Sequence, residues 1–118
     1  MSIFIIKPNP DENAYLLFST LIDAPITMPA TRQAMFESLT SADPNVAMTA
    51  DEATAALHHA DRVGISDPTV IDPRWNYHIH LKGISPLPSG RCDWRDLTRF
   101  TVAWNTGDIA AARSLLTT

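Results

Sequence analysis

Two histidines one residue apart, His78 and His80, stand in the stretch "WNYHIH" from Trp75 to His80. Side chains alternate along a strand, so both imidazoles point to one side, and neutral imidazoles spaced this way can chelate zinc, copper or nickel. His78 and His80 are therefore the candidate metal ligands. A transition metal such as zinc is the one cofactor left open, and no other cofactor is expected. Such a site needs a third and fourth ligand, yet the chain continues "LKGISP", with no acidic residue close behind. His58, His59, Asp72 and Cys92 come near only through the fold. The same alternation also gives a plainer account. Asn76, His78, His80 and Lys82 form a polar row, and Tyr77, Ile79 and Leu81 an apolar row opposite. Trp75, Asn76, His78, His80 and Lys82 are on this reading a candidate surface for a protein partner or for a second copy of the chain.

The remaining reactive residue types are weaker leads. His58 and His59 are neighbours on a predicted helix, where consecutive side chains diverge by about 100° and do not readily share one ion. Cys92 in "RCDW" precedes a predicted helix start, with Arg91 beside it, a setting that can lower a thiol pKa. A nucleophilic thiol also needs an aligned base, and a lone cysteine is more often a small buried hydrophobe. Arg91, Arg95 and Arg99 recur every four residues, but Asp96 can pair with Arg99 at i,i+3, which describes a solvated helix face. Trp94 and Trp104 fall on the core side of the same helix, and Trp75 is left open between core and contact surface. No residue is nominated as catalytic. The 4 glycines form no phosphate-binding loop, and neither "GIS" nor "PSG" is a nucleophile elbow.

Composition narrows the classes further. The 118 residues are 45% hydrophobic and 19% charged, enough to build one core in one domain. A formal net charge of −4 argues against nucleic-acid binding, and against docking on an anionic membrane. The single cysteine, the absence of a leader pattern at the start and the shortness of every apolar run predict a soluble, cytoplasmic protein.

These residues must be positioned by a small set of elements. "SIFIIK", Ser2–Lys7, is apolar on both alternating faces and reads as a strand covered on two sides. The turn formers "PNPDEN" and the apolar run Ala14–Ile22 complete a hairpin. Thr31 caps a helix to about Leu39, with Met35, Phe36 and Leu39 inward. "TADE", Thr49–Glu52, is a capping box; Ala53, Ala56, Leu57, Ala60 and Val63 follow at helical spacing to a terminal Gly64. A strand over Trp75–Lys82 comes next, then an irregular connector from Gly83 to Gly90. Two helices follow, capped by Asp93 and Asp108, and Asn105–Gly107 separate them. The order β-β-α-α-β-α-α predicts a single α+β domain: a small, mostly antiparallel sheet with helices packed on one face.

Two resemblances add context. "FTVAWNTGDIAAARSLLT", Phe100–Thr117, resembles the helix–NxGD–helix opening of NTF2-like domains. In that family a long curved sheet follows the motif, so here the resemblance implies the local shape and no function. The opening "MSIFIIKPNPDENAYLLFSTLIDAPI" with "TRQAMFESL" is similar to small uncharacterised proteins of actinobacteria and their phages, over about the first third of the chain. It implies an accessory protein of a phage or its host and transfers no functional residue. The expectation is a small non-enzymatic protein that binds a partner or itself. The alternatives are a metal-binding protein using His78 and His80, and a small thiol-dependent enzyme.

Overall fold

The structure, a computed structural model, describes residues 3–20, 23–41, 48–82 and 89–117. It has the expected α+β class and element order, with three further short strands. The strands are β1 (Ile3–Ile6), β2 (Leu16–Ser19), β3 (Ala24–Pro25), β4 (His78–Leu81), β5 (Gly90–Asp93) and β6 (Leu116–Thr117). The helices are α1 (Arg32–Leu39), α2 (Ala50–Val63), α3 (Leu97–Asn105) and α4 (Ile109–Ser114). The strands divide into two antiparallel sheets, β1-β2-β3 and β4-β5-β6.

The first sheet is a partition between two cores. In the register Phe4↔Phe18 and Ile6↔Leu16, alternation sends these four side chains to one face and Ile5 and Leu17 to the other. Ile5, Tyr15 and Leu17 pack with Met35 and Leu39 of α1 and Ala53, Leu57 and Ala60 of α2. Ile6, Leu16 and Phe18 pack with Leu81, Cys92, Trp94, Leu97 and Phe100. Apolar character on both faces of β1 therefore marks a strand covered on two sides. Helices α1 and α2 cover one face; the second sheet with α3 and α4 covers the other.

Local signals explain the helices. The Thr49 hydroxyl accepts from the Glu52 amide and the Glu52 carboxylate accepts from the Thr49 amide, both at 3.1 Å. Gly64 ends α2 at φ 89°, in the left-handed region where a side chain is strained. Thr31 and Asp108 accept from Ala34 and Ala111 and start α1 and α4.

Two elements differ from the sequence expectation. The strand expected over Trp75–Lys82 spans only His78–Leu81, because Arg74–Tyr77 closes a turn through the Tyr77 amide and the Arg74 carbonyl. Asn76 and Lys82 thus lie off the strand, and Tyr77, placed by alternation in the apolar row, is exposed. The helix expected from Trp94 begins instead with a 3-10 turn, Trp94–Asp96, and Asp93 makes no side-chain cap bond there. Asp93 belongs to β5 and is held in the pairing His78↔Asp93. Ser2, Ile22 and most of the connector from Gly83 lie outside the described residues. Among the described residues no helix is long and apolar enough to cross a membrane.

Candidate functional site

Where the two sheets meet, the core that contains Trp94 opens to solvent in a groove of about 310 Å³. Phe4 and Phe18 form its floor from β1 and β2, and Ile79 and Trp94 supply a second wall. Ile65 and Val70, on the segment after α2, close a third side. The polar groups on its lining are Thr20, Asp67, Arg74, Tyr77 and His78. Its size is at the lower end of the usual range for ligand pockets, and its lining is the usual one: mostly apolar with a few polar groups.

The walls are held by backbone bonds rather than by loop packing alone. The segment after α2 runs along the edge of β1: Lys7 donates to the Gly64 carbonyl at 2.9 Å and Ser66 to the Ile5 carbonyl at 2.9 Å. The Ile5 amide donates to Ser66 Oγ at 2.9 Å. His59 Nε2 donates to the Val70 carbonyl at 2.8 Å, since a carbonyl can only accept. Both Trp75 Nε1 and Trp94 Nε1 donate to the Lys7 carbonyl, at 2.9 and 3.3 Å. The Trp94 amide donates to the Tyr77 carbonyl at 2.9 Å, which joins the Arg74–Tyr77 turn to the second wall.

The electrostatics of the rim centre on Arg74. Its guanidinium carbon lies 5.0 Å from the centroid of the Tyr77 ring, a cation–π arrangement. Arg74 is half-buried, and its side chain forms no ion pair among the described residues. Asp67 is occupied locally: its Oδ1 accepts from the Thr69 amide at 3.0 Å and the Thr69 hydroxyl at 2.7 Å. Those two bonds, the hydroxyl's first, hold the Asp67 carboxyl below its ordinary value.

The residues singled out by sequence are divided by this geometry. His78 and His80 share the exposed face of β4, opposite Asp93 and Arg91 of β5, but only His78 lines the groove. Among the described residues no three His, Cys, Asp or Glu side chains are grouped to hold a metal ion. Asn76 is exposed in the turn, and Lys82 is exposed just past β4 with its amide on the Asp23 carbonyl at 3.1 Å. Trp75 is half-buried, packed against the core with its indole N–H engaged. Cys92 is fully buried; burial first, then the charges of Asp96 and Asp93, push its thiol up to about 12. It is a protonated core side chain at neutral pH. His58 is exposed, and Arg99 pairs with Asp96 at 3.3 Å as the i,i+3 spacing predicts.

A second cluster escaped sequence reasoning entirely. Asp61 of α2 accepts from Lys7 Nζ at 3.4 Å and Arg32 Nε at 3.2 Å, and also from the Tyr15 hydroxyl. Burial alone would raise its pKa. The bonds from Tyr15 and Arg32 and the charge of Lys7 outweigh that and hold it below its ordinary value. Tyr15 moves the other way: burial first, then the bond to Asp61, push its phenol up to about 12. The cluster ties β1, β2, α1 and α2 together, with the acid held ionised and the phenol held protonated. Arg74, the key polar residue of the groove, was also missed. Its signal was compositional: "RWNY" places Arg beside Trp and Tyr, the residue types that anchor interfaces. No family model, curated protein or solved structure matches the chain.

Proposed function

We propose that the protein acts by binding another protein, with the groove between the two sheets as the contact surface, and not by catalysis. The observation that carries this reading is the groove itself, an apolar recess lined by Phe4, Phe18, Ile79 and Trp94 and rimmed by Arg74 and a Tyr77 that is 52% exposed. Aromatic and arginine side chains around an apolar recess are the composition of interface anchors. Cys92, Tyr15 and Asp61 lie outside the groove lining, and Asp67, which is on it, is engaged by the Thr69 amide and hydroxyl. The setting we propose is the one the N-terminal resemblance suggests, an accessory protein in the cytoplasm of an actinobacterial cell or a phage host.

Photo-crosslinking tests this reading. A photoreactive residue placed at Tyr77 is expected to give one discrete adduct in cells, and the same residue at His58, on the exposed side of α2, none. An adduct at twice the chain mass identifies a second copy as the partner. Equal adducts from both positions, or none from position 77, refute the groove as the contact surface.

A further inference from the structure

We infer that the segment of the partner protein that enters the groove carries a large apolar side chain beside a single carboxylate, the carboxylate seated on Arg74. The inference rests on the binding reading above and goes further by stating the partner's chemistry. Of the polar side chains around the groove, Asp67 is bonded to Thr69 and the Trp94 indole to the Lys7 carbonyl. Arg74 is half-buried, its guanidinium carbon lies 5.0 Å from the Tyr77 ring centroid, and it has no carboxylate within ion-pair distance among the described residues. A guanidinium beside a ring and without an ion-pair partner offers its N–H groups to a carboxylate.

Two features set the limit at one acid. The chain carries a formal net charge of −4, so a strongly acidic partner is repelled at long range. Asp67, ionised on the same lining, disfavours a second carboxylate beside it. The apolar side chain follows from the rest of the lining, which offers Phe4, Phe18, Ile79 and Trp94 to it. A protein segment, rather than a small metabolite, suits a groove with a large exposed apolar side chain beside it: Ile71, next in the chain to the lining residue Val70, is 80% exposed.

Terminally blocked pentapeptides with a central Phe-Glu, Phe-Gln, Phe-Lys or Ala-Glu pair, and phenylacetate as a small carboxylate, test this. Binding is followed through the Trp94 indole N–H signal of the full chain by NMR. Phe-Glu is expected to bind about tenfold to a hundredfold tighter than Phe-Gln, the difference made by one charge-assisted hydrogen bond, and tighter still than Phe-Lys and Ala-Glu. Arg74→Glu is expected to reverse the order of Phe-Glu and Phe-Lys, a reversal that loss of folding cannot produce. Equal binding of Phe-Glu and Phe-Lys, an order unchanged in Arg74→Glu, or no shift with any peptide overturns the inference. Phenylacetate binding as tightly as the Phe-Glu peptide overturns the assignment to a protein segment. A discrete adduct from position 77 alongside any of these failures leaves the binding reading standing and removes only the partner chemistry.

Discussion

Replacing Asp61 with asparagine keeps the side-chain shape and an oxygen facing Lys7 and Tyr15, removes the charge, and puts an amide N–H2 where Oδ2 accepts from Arg32. The three arms of the cluster should not lose equally. The Lys7 side chain is 13% exposed and that of Arg32 is 42% exposed. A charge-assisted hydrogen bond is about twice as strong as a neutral one, and a shielded cation left without its counter-charge adds a further penalty. The exposed Arg32 arm is screened by solvent and contributes roughly 0.5 kcal/mol or less. Together these put the cost of Asp61→Asn at about 2–3 kcal/mol. For a chain of 118 residues that lowers Tm by about 8–12 °C. Urea unfolding of Asp61→Asn, Lys7→Met, Arg32→Gln and the two doubles measures it. The Lys7–Asp61 coupling is expected at about 1–2 kcal/mol and the Arg32–Asp61 coupling at about 0.5 kcal/mol or less. The pH dependence has a definite sign. Because the folded state holds Asp61 below its ordinary value, the unfolded chain binds more protons in that window. The contribution is complete above the unfolded value of about 3.9 and is lost as pH falls through the lower folded one. The gap between wild type and Asp61→Asn should therefore be level near neutrality and narrow in acid. A variant as stable as wild type, a gap that does not narrow in acid, or a larger coupling to Arg32 than to Lys7 refutes the reasoning.

Three further outcomes are expected. Gly64→Ala places a Cβ 3.0 Å from Trp94 Nε1 and 3.3 Å from Trp75 Nε1 at a φ of 89°, so it should cost about 2–3 kcal/mol and shift the tryptophan emission. An alanine at this position with unchanged emission and urea midpoint would show that the two indoles are not packed on the turn. Cys92, fully buried with its thiol at about 12, should resist a disulfide reagent in the native state and react fully in denaturant; rapid native labelling would contradict its burial. Equimolar zinc is expected to leave the Tm of wild type and of a His78→Ala/His80→Ala variant equal, whereas a rise in wild type alone would make the pair metal ligands.

What could be read from the letters was whatever is local in sequence. The capping box at Thr49, the glycine after Val63, the Asp108 cap and the Asp96–Arg99 pair all lie within a turn or so of their partners, and each is in the structure. The two apolar faces of β1 likewise marked a strand with cores on both sides. The fate of Tyr77 was not legible, because alternation applies only once the strand has begun, and the Arg74–Tyr77 turn delays that start. The Asp61 cluster was hidden by distance. Its partners lie 54, 46 and 29 residues away, and no pattern in a window of one helix reports a pairing of that range. The groove was hidden for the same reason, since β1, β2, the segment after α2, β4 and Trp94 each contribute only one or a few side chains.

The Lys7 carbonyl, shared by two indoles, bears on the order in which the chain folds. Its donors stand 68 and 87 residues further along, so neither bond can form until most of the chain has been brought back on itself. Closing loops of that length carries an entropic cost that only later contacts offset, and such pairings slow folding. Helix α2, with its own start and stop signals, has no such wait. Two of the three tryptophans are thus placed to report the closure of these long loops, while the far-ultraviolet signal reports the helices.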